Sequence, residues 1–63
     1  MEWEEILEAC FKEKKTIKII LSSGTYYTGT ISRLDKEHLQ LFDIKQNLVH
    51  IKYDSIISLE ELE

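Results

Sequence analysis

The hydrophobic period of this chain changes once, near Thr16, and that single change limits the folds open to it. Before it, Trp3, Ile6, Leu7, Cys10 and Phe11 recur at i, i+3, i+4, i+7 and i+8, the one-sided stripe of an amphipathic helix. Glu2, Glu4, Glu5 and Glu8 crowd its first turns, and Lys12, Lys14 and Lys15 close its far end. Each sign sits at the pole of the helix dipole that favours it. From Thr16 onward the period is two. Ile17, Ile19 and Leu21 alternate with Thr16, Lys18 and Ile20, which predicts a strand with one strongly buried face.

Turn chemistry divides the remainder into further short strands. Ser22-Ser23-Gly24-Thr25 predicts a tight turn with Gly24 at positive φ. A second strand follows over residues 25–33, rich in Thr, Tyr and Ile. Gly29 lies in its middle, on the face of Tyr27 and Ile31. A glycine there weakens a flat strand and marks a bend or bulge. After Leu34-Asp35-Lys36-Glu37, a third strand covers residues 38–42 with Leu39 and Leu41 inward. Lys45-Gln46-Asn47 makes a polar hairpin tip. A fourth strand covers 48–53 with Val49 and Ile51 inward, and a fifth covers 56–59. The expected architecture is mainly β: an N-terminal helix followed by a five-stranded, strongly bent antiparallel small barrel. The expected organisation is one domain over 1–63, with a capping helix at 1–15, a barrel at 16–59 and an acidic tail at 60–63.

Sixty-three residues leave this domain short of core. A chain of that size buries only about 60% of its unfolded surface, and its stability at the usual per-residue rate is ~3–9 kcal/mol. A second chain covering apolar surface would help. The 43% hydrophobic content and the absence of proline exclude disordered, collagenous and proline-rich classes. The lone Cys10 excludes an internal disulfide, and two distant histidines without a cysteine pair argue against structural zinc. No metal or cofactor is expected. The longest apolar run, Ile19-Ile20-Leu21, is far from a membrane span, and no signal segment opens the chain, so the expected address is the cytoplasm.

The net charge of −4 conceals a pattern. Residues 1–10 carry −4, residues 11–53 carry +4 and residues 54–63 carry −4. A mildly basic body between acidic ends leaves room for a phosphate-binding surface that the overall charge alone would argue against. Catalysis is not expected, because the sequence has no nucleophile–base motif, phosphate loop or metal-ligand spacing. Asp35 and Asp54 stand at turns, where Asp favours local backbone hydrogen bonds. Trp3 reads as an anchor of the helix on the barrel, Tyr27 as core, Tyr26 as an exposed contact, and His38 and His50 as strand-surface residues.

The order of elements and the residues at the turns resemble the Sm/LSm superfamily. Its first motif is matched by Ser23-Gly24, Gly29 and Leu34-Asp35, followed by Leu39 and Leu41, and this Gly/Gly/Asp spacing is similar to that of bacterial Hfq-type members. Its second motif resembles Tyr53-Asp54-Ser55-Ile56-Ile57-Ser58-Leu59. The resemblance implies a non-catalytic homo-oligomeric ring in RNA metabolism, joined through the edges of the last two strands at Val49, Ile51, Ile56 and Ile57. It also implies binding of U-rich or A-rich RNA around Asp35, Lys36, His38, Lys52 and Tyr53, where a base can stack and lysines meet phosphate. Lys36-Glu37-His38-Leu39 follows Asp35 where RNA-binding members carry an Asn or a Gln-Phe pair, so the base-reading amide is absent from that place. A second resemblance, to Rof-type antiterminators that bind the terminator Rho, rests on Leu7-Glu8-Ala9-Cys10, Glu37-His38-Leu39 and Lys52-Tyr53-Asp54-Ser55-Ile56-Ile57-Ser58. It implies a monomer that docks a basic protein through Glu2, Glu4, Glu5 and Glu8.

Overall fold

A computed structural model describes residues 3–62. Helix α1 spans Glu4–Lys12, followed by β1 (Ile17–Leu21), β2 (Tyr26–Leu34), β3 (His38–Asp43), β4 (Leu48–Lys52), a 3-10 turn at Tyr53–Ser55 and β5 (Ile56–Glu61). The strands form one antiparallel sheet in the order β4-β3-β2-β1-β5. This is the expected helix followed by five bent strands, with β4 and β5 as its outer strands.

β2 bends the sheet. Its first half pairs with β1 and its second half with β3, and Gly29 belongs to both ladders, opposite Ile17 on one side and Asp43 on the other. A Cβ at Gly29 would collide with the Phe42 carbonyl oxygen and lie 2.6 Å from Asp43 Cα. Close approach of β3 therefore requires glycine here, and its φ is not in the left-handed region. A register shift between Ile31 and Arg33 adds to the curvature. Gly24 takes φ +92° in the β1–β2 turn, where its N–H donates to the Leu21 carbonyl at 2.9 Å.

Alternation places one row from every strand inside. Ile17, Ile19, Ile31, Leu39, Leu41, Ile51 and Ile56 form the core with Leu7 and Cys10 of α1. The helix contributes less than its stripe predicts, because Ile6 and Phe11 remain 41% and 38% exposed. Leu7 and Cys10 carry the ridge that enters the bent sheet, with Trp3 half-buried beside it. Lys14 at φ 54° ends the helical segment. Of the expected helix at 1–15, the residues before Trp3, including Glu2, lie outside the described residues.

Two other boundaries differ from expectation. Tyr53 opens the 3-10 turn instead of ending β4: its N–H keeps the β3–β4 register by donating to the Glu37 carbonyl at 3.0 Å, while its carbonyl accepts from the Ile56 N–H and so turns the chain. Glu60 and Glu61, expected in a tail, extend β5 opposite Lys18 and Ile17. Glu61 lies 3.3 Å from Lys15 Nζ, and the Cys10 thiol donates to it at 4.0 Å. Glu63 lies outside the described residues.

Candidate nucleic-acid interface

The β2–β3 loop and the 3-10 turn meet at one end of the sheet, and Tyr53 joins them. Its hydroxyl donates to the Asp35 carbonyl while its backbone N–H bonds Glu37. Burial, followed by the nearby charges of Glu4 and Asp35, pushes the phenol's pKa above its ordinary value. The ring is half-buried against the core. Tyr53 is therefore a latch as well as a wall of the recess beside it. That recess is lined by Lys36, Glu37, Lys52, Tyr53 and Asp54.

Asp35 closes the loop from the other side. Its backbone N–H donates to the His38 carbonyl at 2.9 Å. Its carboxylate lies 3.1 Å from His38 Nε2 and 3.7 Å from Arg33 Nε. His38 stands opposite Lys52 across the β3–β4 ladder, and its ring centroid is 6.4 Å from that of His50. Asp35, Lys36, His38, Lys52 and Tyr53, separated by up to 18 residues in sequence, thus occupy one region. His50 joins them. The signal for it in the sequence is register: Gln40 and His50 pair, so His38 and His50 are diagonal neighbours on the outward face.

The acidic helix adjoins this region. Glu4, Glu5 and Glu8 are exposed along a groove whose other walls include Phe11, Leu34 and Tyr53. Lys36 and Tyr53 line both the groove and the recess. The two sets of residues expected from sequence for two different partners are therefore contiguous.

The strand edges need a correction. Ile51 and Ile56 are 2% and 6% exposed, because alternation turns both side chains into the core. Val49 is half-buried. Ile57 at 60% and Leu48 at 52% are the apolar side chains that the outer strands leave exposed. Tyr26, 59% exposed, carries the Lys18 ammonium 4.5 Å above its ring.

Asp43 has a structural role that the sequence reading passes over. It is 8% exposed, and its Oδ1 accepts from the N–H groups of Lys45 at 3.0 Å and Asn47 at 2.9 Å. An Asp directly before a polar hairpin tip is the sequence signal for such a cap. Among the described residues no group of three or more His, Cys, Asp or Glu side chains is placed to hold a metal ion. No described helix is long and apolar enough to cross a membrane.

No protein-family model and no curated relative matches the sequence. Solved structures do match. The crystal structure of the "pleiotropic translational regulator, Hfq" superposes with a TM-score of 0.81 at 18% identity, covering 90% of this chain and 93% of that one. An Hfq protein from Anabaena sp. gives 0.75 at 19% identity, covering 95% and 98%. The agreement spans nearly the whole of each chain, including the helix and all five strands, and the chain has the Sm-like fold of the Hfq type.

Proposed function

We propose that this chain is a non-catalytic RNA-associated regulator that assembles into a closed homo-oligomeric ring and binds single-stranded RNA at the Lys36–Lys52–Tyr53 recess. The convergence of Lys36, His38, Lys52 and Tyr53 at one end of an Sm-like sheet carries this reading. Two lysines supply phosphate contacts and the aromatic groups supply stacking surfaces, a combination that holds single strands without a fixed sequence code. The likeness to a protein described as a translational regulator supports the same class of activity. U-rich and A-rich strands are the first ligands to try, and a reducing cytoplasm is the working compartment.

Assembly would follow from the outer strands. Among the described residues β4 and β5 each leave one row of backbone groups without a partner strand, and different edges meeting head to tail close into a ring. Leu48 and Ile57 would add apolar contact beside those edges. Burying them would also supplement a small core.

The test is fluorescence anisotropy with labelled U-rich and A-rich oligoribonucleotides over a salt series. Affinity should fall steeply with salt, and Lys36→Ala or Lys52→Ala should each lower the slope by about 0.7, the single-strand value for one phosphate contact. Absence of binding at low salt would end this reading.

The groove beside α1 favours a second reading, a monomer docking a basic protein such as Rho. Glu4, Glu5 and Glu8 line that groove together with the apolar side chains of Phe11 and Leu34. Reversal of the three glutamates to lysine should abolish such binding with the circular dichroism spectrum unchanged. Retained affinity for Rho would remove this reading.

A further inference from the structure

We infer that His38 and His50 form a proton-gated phosphate contact beside the recess, so that RNA binds more tightly near pH 6 than near pH 8. The inference rests on the RNA-binding reading above and adds a regulation to it.

His38 stands beside a carboxylate, with its Nε2 3.1 Å from Asp35 Oδ2. A neutral imidazole keeps one ring nitrogen as a lone-pair acceptor, which repels a phosphate oxygen. Protonation makes both nitrogens donors, so the ring can meet Asp35 on one side and a phosphate on the other. Imidazole is the side chain whose charge ordinarily changes in this pH range.

The surroundings fit such a gate. His38 and Lys52 are directly opposite on the β3–β4 ladder, with His50 diagonal to His38 at 6.4 Å between centroids. Leu39, Leu41 and Ile51 point into the core, so alternation puts His38, His50 and Lys52 on one outward face. Without a ligand, a second imidazolium beside His38 and Lys52 meets like charge. A bound phosphate reverses that penalty, so binding and proton uptake favour each other.

The other charged groups around the pair act in both directions. The Asp35 carboxylate lies 3.1 Å from His38 Nε2, and Arg33 Nε stands 3.7 Å from the same carboxylate. Lys36 and Glu37 stand in the same loop, one of each sign. Lys52 on β4 adds a positive charge directly opposite His38. Edge pairing of β4 would use backbone groups in the sheet plane, while these side chains stand off it.

The test is anisotropy with the same oligoribonucleotides at pH 6 and pH 8 at constant ionic strength, with native mass spectrometry at both values. Wild-type protein should bind about sixfold more tightly at pH 6, the ratio that a one-unit rise above the ordinary imidazole value on binding gives between these two pH values. The His38→Gln, His50→Gln double variant should bring the ratio of the two affinities to about one. NMR titration of wild-type protein should show at least one of these imidazoles shifting to higher pKa when the oligonucleotide is added. Equal wild-type affinity at both pH values overturns the gate and leaves the RNA reading standing. So does a pH effect that tracks a change in oligomeric mass or survives in the double variant. Absence of binding at both pH values removes the two together.

Discussion

At the scale of single residues, two backbone positions determine how the sheet turns, and they respond oppositely to substitution. Gly29→Ala places a methyl group against the Phe42 carbonyl and Asp43 Cα. Both obstacles are backbone, so the strands must part, and a loss of about 3 kcal/mol is expected in urea denaturation. Gln46 sits at φ 67° in the β3–β4 tip, a conformation that disfavours side chains, and Gln46→Gly should gain about 0.5 kcal/mol by the same measurement. Gly29 was legible in the sequence as the site of a bend. Its cause, the approach of β3 to within van der Waals distance, was not, because sequence spacing does not reveal which backbone lies opposite.

Titration belongs to this scale as well. Burial, followed by Glu61, raises the Cys10 thiol's pKa, and burial raises that of the Tyr53 phenol. The hydrogen bond and charge of Glu61 raise the Lys15 ammonium's pKa. All three hold their protons more firmly in the folded chain than in the unfolded one. The folded state therefore binds more protons once pH passes the unfolded values, and stability present at neutral pH falls through about pH 9 to 11. Thermal unfolding across that range should show the decline. A Cys10→Ala, Tyr53→Phe variant should show a shallower one, whatever its stability at pH 7.

Among the elements, the helix gives the clearest separation of core from surface. Leu7 has no exposure while Ile6 and Phe11 are more than a third exposed. Leu7→Ala should cost about 2–5 kcal/mol, whereas Ile6→Ala and Phe11→Ala should each cost about 1 kcal/mol or less. Equal costs for the three would contradict the observed docking of α1. The period-two reading of the strands carried over to the structure because Ile17, Ile19, Leu39, Leu41 and Ile51 are inward as alternation requires. It failed at the strand ends for tertiary reasons. Tyr53 enters the 3-10 turn with its hydroxyl on the Asp35 carbonyl, and Glu61 is held in β5 by the β1 ladder beside Lys15. Neither partner is near in sequence. The edge residues divide in the same way: Ile51 and Ile56 are core, while Ile57 is free to meet a second chain.

For the whole molecule, the charge pattern gains a spatial meaning. The acidic wall of α1 and the lysine-bearing recess were legible as separate segments of the sequence. Their contiguity through Lys36 and Tyr53 was not, since it depends on the bend that folds the β2–β3 loop against the 3-10 turn. Asp35, Lys36, His38, Lys52 and Tyr53 could be named from the resemblance, but His50 joins them only through the β3–β4 register. The ring reading has its own prediction here. Ile57→Lys puts a charge on an exposed side chain of β5 and should reduce the assembly to monomer, measured by sedimentation velocity, with thermal unfolding of the monomer retained.

Native mass spectrometry of the unmodified protein at low salt, with a U-rich oligoribonucleotide added, tests the central claim most directly. A closed multiple of the 7.5 kDa chain carrying the mass of the oligonucleotide is the expected result. A bare monomer that takes up no RNA would contradict both the ring and the recess as its binding site.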